Sequence, residues 1–233
     1  MLNKSLFICY STPNYSKLTD ICLDSLKSIN VQNINHMLDK SHPSKNTGFQ
    51  TDLWYYCVRN KIKHLINVLT DTCDNLTNTC DSLTNTQYFI FTDCDIVYIK
   101  KNMDEWNNLE NFIINENNDI FFMRENTSND VNSGFFIIKN NDNIKNIINF
   151  FIEVLENFDK TDKKKMPFGD QSIINNLKNK INYSFIPNDY VIFGTTIYNK
   201  NKSLFHHAVC CRNVDDKILQ INEIKKNFIY DRI

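Results

Sequence analysis

Two aspartates flank a cysteine in the segment Asp93-Cys94-Asp95, which lies between the apolar runs 88–92 and 96–99. Alternate side chains of an extended chain point the same way, so Asp93 and Asp95 can face one cation while Cys94 points elsewhere. Carboxylate oxygens suit Mg²⁺ or Mn²⁺, which keep coordination positions open for phosphate oxygens. The pattern predicts a nucleotide or sugar diphosphate held through a metal at the carboxyl end of a buried strand. For the triplet alone, the competing interpretation is a solvated turn after a core strand.

Two later segments place polar side chains beside a glycine. In Asn132-Ser133-Gly134, a small polar turn leads into an apolar run, and its backbone amides and short side chains are suited to contact sugar hydroxyls. In Gly169-Asp170-Gln171, a carboxylate and an amide begin a predicted helix. Taken alone, Asp170 is better explained as a helix N-cap, a position that aspartate often fills.

Two adjacent histidines, His206 and His207, follow an apolar pair near the end of the sequence. An isolated histidine is more often structural than a metal ligand, but an imidazole is a reasonable third ligand beside two carboxylates when the metal is Mn²⁺. One of the two histidines, His206 or His207, is therefore a candidate third ligand of the metal.

Composition predicts a soluble, single-domain protein in a reducing, cytoplasmic compartment. The 233 residues are 42% hydrophobic, enough for one substantial core, and the net charge of −1 gives no reason to expect a nucleic-acid partner. The apolar runs are too short to span a membrane, and no signal peptide is evident at the start. The eight cysteines are scattered and lack zinc-site spacing, which favours free thiols. Only four glycines occur, so the sequence has neither a dinucleotide-binding fingerprint nor a phosphate-binding P-loop.

Hydrophobic periodicity predicts alternating strands and helices, and therefore an α/β fold. The predicted strands are 6–10, 88–92, 96–99, 119–124, 134–139, 181–186 and 191–193; the predicted helices are 18–29, 54–69, 103–115, 144–158, 170–179 and one from 215. No linker divides this series. We expect one domain with a central mixed sheet flanked by helices and with ligands at the carboxyl ends of its strands.

A seven-residue repeat rich in threonine and asparagine occupies 69–86, with a leucine at the start of each unit. Such units are poor helix formers, so a surface insertion, dispensable for chemistry, is favoured over a coiled-coil stripe. The predicted domain, 1–233, then divides into a nucleotide-binding half at 1–100, which contains this insertion, and an acceptor-binding and catalytic half at 101–233.

Taken together, the motifs resemble those of GT-A-fold, metal-dependent nucleotide-diphosphosugar glycosyltransferases, over nearly the whole chain. Asp93-Cys94-Asp95 resembles the D-x-D motif, Asn132-Ser133-Gly134-Phe135 the N-[AS]-G-hydrophobic strand, and Asp170-Gln171 the D-Q pair. The segment from His206 to Cys210 is similar to the late H-F-A-G-C element of the galactosyl- and xylosyltransferase-like branch, although it lacks the glycine. The first strand, the loop after it and the next helix resemble the family's nucleotide-binding start.

The resemblance implies a single GT-A (Rossmann-like) domain that transfers a hexose or pentose from a nucleotide-sugar donor, with UDP expected, to an unknown glycan or protein acceptor. It implies Mn²⁺ or Mg²⁺ on Asp93, Asp95 and His206, catalysis through Asp170 and Gln171, and retention of the anomeric configuration. The donor-binding residues are expected to be Ser11, Thr12, Asn14, Tyr15, Lys61, Asp93, Asn132, Ser133, Gly134 and Arg212, with Tyr15 stacked on the base.

Two other classes compete with this interpretation. Asp93-Cys94-Asp95-Ile96-Val97 also fits the D-x-D-x-[TV] pattern of haloacid-dehalogenase-type phosphatases, with Asp215-Asp216 as the late acidic pair. That family normally opens with its nucleophile motif, whereas here the motif lies well into the chain. The other class is a non-catalytic sugar-nucleotide-binding protein on the same fold.

The abundance of Asn, Ile and Lys indicates an AT-rich genome, such as that of a giant virus or a protist.

Overall fold

The structure is a computed structural model that describes residues 1–41, 49–75, 85–126, 128–211 and 213–229. Within these ranges the chain forms ten β-strands and six α-helices. The strands are β1 Ser5–Ser11, β2 Ile34–Leu38, β3 Tyr88–Thr92, β4 Ile96–Tyr98, β5 Ile120–Arg124, β6 Val131–Lys139, β7 Tyr183–Phe185, β8 Val191–Phe193, β9 Thr196–Ile197 and β10 Phe205–His207. The helices are α1 Ser16–Ser28, α2 Asp52–Asn75, α3 Glu105–Asn115, α4 Ile144–Lys160, α5 Asp170–Leu177 and α6 Val214–Ile229. In these ranges no helix is both long and apolar enough to cross a membrane.

The central sheet is mixed and has six strands in the order β2-β1-β3-β6-β5-β7. β1 is parallel to β2 and β3, whereas β6 is antiparallel to β3 and β5. β5 thus runs in the same direction as β3, so the carboxyl ends of β1, β3 and β5 share one edge with the amino end of β6. The predicted α/β fold with a central mixed sheet flanked by helices is confirmed.

Both faces of the central sheet are buried, which explains why its inner strands are almost continuously apolar. Side chains of β3 alternate between the two faces: Phe89 and Phe91 pack with α2 and α4 on one side. Ile90 packs on the other side with residues of α1 and α3. The carboxyl edge of the sheet is therefore held between two apolar layers.

A second sheet of four strands, in the order β4-β10-β8-β9, was not predicted. β4 follows Asp95 directly, and β10 pairs antiparallel with it, so that His207 is opposite Ile96. The backbone amide of Ala208 donates to the carbonyl oxygen of Asp95 at 3.0 Å. This pairing brings the late histidine segment beside the paired aspartates.

The repeat begins inside a helix rather than in an insertion. α2 continues through the first unit to Asn75, and the side chain of Leu69 is fully buried in the main core. The prediction of a surface insertion starting at residue 69 is wrong for this unit, because packing of an apolar helix face outweighs the weak helix propensity of threonine and asparagine. Residues 76–84 of the repeat lie outside the described ranges.

Candidate active site

Asp93 and Asp95 lie at the carboxyl edge of the central sheet, together with His207 of β10. One ligand atom from each of the three residues lies within 4.8 Å of the others. Oδ1 of Asp95 is 3.4 Å from Nε2 of His207. Among the described residues, neither Oδ1 of Asp95 nor Nδ1 of His207, both buried, has a hydrogen-bond partner. Two carboxylates and an imidazole with unsatisfied atoms form a donor set that fits Mn²⁺ or Mg²⁺.

His206 points away from this cluster, because successive side chains of a strand point to opposite faces. Its Nε2 lies 2.9 Å from the carbonyl oxygen of Gly194, an acceptor, and so donates to it. Burial lowers the pKa of His206 to about 4, so its ring is neutral at physiological pH. The preference for His206 as the metal ligand is therefore wrong; the alternate, His207, is the histidine beside the carboxylates.

The backbone conformation of Cys210 also indicates that His207, rather than His206, is the histidine of the late motif. Cys210 has a φ of 60°, in the left-handed region that favours glycine. If Cys210 occupies the position of the glycine in H-F-A-G-C, the motif histidine is His207. The earlier alignment, which started the motif at His206, is shifted by one residue.

Gly134 lies in close contact with Asp93 and His207, which belong to two other motif segments. The amide of Asp93 donates to the carbonyl oxygen of Gly134 at 2.7 Å. A Cβ atom on Gly134 would lie 2.6 Å from Cε1 of His207 and 3.1 Å from Oδ2 of Asp93, closer than side chains tolerate. A glycine is needed here for close approach rather than for an unusual backbone angle.

Two lysines pair with the carboxylates. Nζ of Lys61, on α2, is 3.2 Å from Oδ1 of Asp93 and 3.1 Å from Oδ2 of Asp170. Nζ of Lys217, on α6, pairs with Oδ2 of Asp95. Lys61 was predicted as a donor-binding residue, whereas Lys217 was not.

The pairs set the charge of the site. Burial lowers the pKa of both lysines, but the carboxylates outweigh burial and raise both pKa values. Burial raises the pKa of Asp93 above its usual value, against the opposing effect of Lys61. For Asp95, Lys217 and His207 outweigh burial and hold the pKa well below the usual range. At neutral pH the site therefore contains an ionised Asp95 and two protonated lysines.

Asp170 is the first residue of α5, whose N-cap is Gly169, with a φ of 57°. Its side chain is buried and directed to Lys61, and the N-cap interpretation of this carboxylate is wrong. The next side chain, Gln171, lies against the start of β6: its Oε1 accepts from the amide of Ser133 at 3.4 Å.

The Asn132-Ser133-Gly134 segment is buried at the amino end of β6. Oδ1 of Asn132 accepts from the amide of Gly134 at 2.9 Å. Nδ2 of Asn132 donates to Oε2 of Glu125 at 2.6 Å, and Nε2 of Gln171 donates to the same oxygen at 3.0 Å. Glu125, which immediately follows β5, thus connects two of the predicted motifs.

The predicted nucleoside-binding residues lie at the end of β1. Ser11 and Thr12 are buried, and Oγ of Ser11 is 2.7 Å from Nε2 of His36, the middle residue of β2. Asn14 and Tyr15 are half-buried, and Tyr15 packs with Leu18 at the start of α1. Arg212 lies outside the described ranges.

A model of the nucleotide-diphospho-sugar transferase family matches residues 20–221, most of the chain. The chain belongs to this family. The protein is thus a nucleotide-sugar glycosyltransferase by family and fold. No curated protein matches it in sequence.

Solved glycosyltransferases share the fold of this nucleotide-diphospho-sugar transferase. A glycosyltransferase involved in the glycosylation of the major capsid of PBCV-1 is 14% identical, with 93% of this chain and 99% of that chain covered and a TM-score of 0.60. The apo form of glycosyltransferase GlyE from Streptococcus pneumoniae TIGR4 is 12% identical, with 96% of this chain and 64% of that chain covered and a TM-score of 0.54.

Family membership excludes the phosphatase interpretation. The positions of the acidic residues in the fold also disagree with the phosphatase pattern. Asp93 follows the third strand rather than the first, and Asp215 and Asp216 lie in the first turn of α6 rather than at the end of a strand. They do not join the Asp93 and Asp95 cluster.

Sequence reasoning missed Glu125 and Lys217. For Glu125 a signal was available, since an acidic residue directly after the predicted strand 119–124 lies at the carboxyl edge where ligands were expected. Lys217 lies within a helix among other charged residues, and its sequence position gives no such signal.

Proposed function

We propose that the protein transfers a sugar from a UDP-sugar to an acceptor hydroxyl on a glycan or a protein, with Mn²⁺ or Mg²⁺ as cofactor and with retention of the anomeric configuration. The observation that carries the proposal is the convergence of Asp93, Asp95 and His207 with Asp170 and Lys61 at one edge of the sheet. These residues come from segments far apart in the sequence, and together they fit a diphosphate and its metal.

Departure of a nucleoside diphosphate leaves negative charge on the leaving group and positive character on the sugar. Asp93, Asp95 and His207 would hold the metal, which supplies Lewis-acid stabilisation of the diphosphate. Lys61 and Lys217 are positively charged and lie beside the same carboxylates, so each is within reach of a phosphate bound there. Preorganised charge of this kind stabilises a transition state without reorganisation of solvent.

Asp170 and Gln171 are proposed to lie at the reacting face of the sugar. Asp170 is held by Lys61 and stays close to Asp93, which places a carboxylate beside the metal-binding cluster. The amides and hydroxyl of Asn132-Ser133-Gly134 are proposed to contact the sugar hydroxyls. Retention is inferred from the resemblance of Asp170-Gln171 to the family's D-Q pair.

The nucleoside is proposed to bind at the end of β1, with Ser11, Thr12 and Asn14 around it and Tyr15 stacked on the base. Arg212 is proposed to add positive charge near the diphosphate. The half of the chain at 1–100 would then bind the nucleotide, and the half at 101–233 would bind the acceptor and carry Asp170.

The proposal is tested by incubating the protein with a panel of UDP- and GDP-sugars plus Mn²⁺ and measuring donor hydrolysis. Asp95→Ala, or excess EDTA, should abolish turnover with the fold intact by circular dichroism. Asp189→Ala, which removes a half-exposed carboxylate paired with Lys202, serves as the matched control and should retain activity. Full turnover in EDTA would refute metal dependence, and nucleotide-sugar binding without any turnover would indicate a non-catalytic binding protein.

A further inference from the structure

Glu125 occupies a fixed position at the carboxyl end of β5. Its backbone amide donates to the carbonyl oxygen of Asp130 at 2.8 Å, and its own carbonyl oxygen accepts from the amide of Ser128 at 3.1 Å. Oγ of Ser128 donates to the same carbonyl oxygen at 2.8 Å. The backbone of Glu125 is therefore held on both sides by the turn that leads into β6.

One oxygen of the Glu125 side chain accepts two hydrogen bonds from amides. Asn132 donates to Oε2 at 2.6 Å, and Gln171 donates to it at 3.0 Å. Hydrogen bonds to an ionised carboxylate are stronger than those between neutral groups. The carboxylate is thus anchored by Asn132 and can hold the more distant Gln171, which comes from a different part of the chain.

An ionised carboxylate only accepts hydrogen bonds, so it dictates which way each amide is turned. Both amide nitrogens must face Glu125, and both amide oxygens must face elsewhere. The two oxygens accept from backbone amides of the same segment: Asn132 from Gly134 and Gln171 from Ser133. The amide nitrogen of Gln171 therefore donates to Glu125, and its amide oxygen accepts from the backbone of Ser133.

We propose that Glu125 is a positioning residue for sugar transfer: it fixes the orientation of the Gln171 amide and thereby places that amide at the reacting face of the donor sugar. This inference rests on the proposed function, in which Gln171 lies beside the anomeric carbon. Glu125 acts through Gln171 and does not itself contact the reacting atoms.

Glu125→Gln tests the proposal because it preserves the shape of the side chain but adds an amide that can donate. Gln171 is then free to turn over, and its oxygen can face residue 125. We expect the kcat of donor hydrolysis to fall about tenfold to a hundredfold, the factor that follows from loss of a charge-assisted hydrogen bond. The KM for the donor should change little, whereas the Tm should fall because a charge-assisted hydrogen bond is lost. Glu153→Gln, on a surface glutamate that pairs with Lys180, is the matched control and should behave as wild type.

A double-mutant cycle separates positioning from a general structural role. If Glu125 acts through Gln171, the double variant Glu125→Gln/Gln171→Ala should be no slower than Gln171→Ala alone, within about twofold. Independent, multiplying losses would overturn the proposal. Wild-type kinetics in Glu125→Gln would also overturn it, and Glu125→Asp, which shortens the side chain, should fall between wild type and Glu125→Gln.

A second measurement does not depend on turnover. The side-chain amide signals of Gln171 in ¹H–¹⁵N NMR, assigned by their loss in Gln171→Ala, should be well dispersed in wild type and shift toward solvent-exposed values in Glu125→Gln. If these signals are unchanged, Glu125 does not orient Gln171. If they shift but wild type shows no donor turnover, the positioning holds and the proposed sugar transfer fails.

Discussion

Gly134→Ala is expected to impair metal binding with only a moderate loss of stability. The added Cβ would lie 2.6 Å from Cε1 of His207 and 3.1 Å from Oδ2 of Asp93. Carbon atoms in ordinary contact are about 3.5–4.0 Å apart, so the imidazole must recede by about 1 Å. Metal–ligand distances tolerate changes of only about 0.2 Å. Disturbing groups that orient ligands typically costs 10- to 100-fold in affinity, and we expect a loss in this range for Mn²⁺.

The stability cost of Gly134→Ala should be about 1–3 kcal/mol, as for other overpacked sites. Asp189→Ala provides the control: its half-exposed carboxylate pairs with Lys202 and is not part of the Asp93, Asp95 and His207 cluster. This control should lose less than about 1 kcal/mol and bind Mn²⁺ normally. Calorimetric titration with Mn²⁺ in the presence of UDP, together with thermal unfolding, measures both effects. Equal Mn²⁺ affinity in wild type and Gly134→Ala would refute the assignment of His207 as a ligand held against Gly134.

Four further variants test other parts of the structure. His207→Ala should weaken Mn²⁺ and UDP binding in calorimetry, whereas His206→Ala should lower the Tm and leave Mn²⁺ affinity unchanged; the reverse pattern would restore His206 as the ligand. Hydrogen bonds from Arg59 lower the pKa of Asp159, so this pair stabilises the fold above the unfolded pKa of about 4 and loses that effect as pH falls through the folded pKa. Because both side chains are more than a third exposed, Asp159→Asn should cost less than about 1 kcal/mol in urea unfolding at pH 7 and still less at pH 3; a cost that grows at pH 3 would contradict this sign. Leu69→Ala should cost about 2–5 kcal/mol in the same assay because Leu69 is fully buried, and a negligible cost would show that this repeat unit does not belong to the core.

The central sheet and most helices were predictable because their apolar patterns have a clear physical origin. A strand buried on both faces, such as β3, must be apolar throughout, and an amphipathic helix such as α4 must repeat its apolar residues each turn. β2 was missed because it lies at the sheet edge, includes the polar residues Asn35 and His36, and leaves Met37 and Leu38 exposed.

The position of the paired aspartates at the sheet edge was predictable, but the choice between the two histidines was not. Asp93 and Asp95 lie at strand ends that the sequence marks with long apolar runs. His207 lies in a three-residue strand, too short for a periodic pattern, and only its pairing with β4 shows which ring faces Asp95. Lys217 reaches the site through tertiary packing of α6, which local sequence patterns do not encode, whereas Glu125 could have been found from its place directly after a predicted strand.

The lysine pairs have a consequence for how the protein is maintained in a cell. Small zinc-binding domains unfold without their ion because the free energy of metal binding supplies their free energy of folding. Here two large apolar clusters form the core, Lys217 pairs with Asp95, and Lys61 pairs with both Asp93 and Asp170, so part of the carboxylate charge is balanced from within the chain. We therefore expect the chain to fold without a bound metal. Under the proposed function, a metal-depleted protein should remain folded and regain activity when manganese or magnesium is added back.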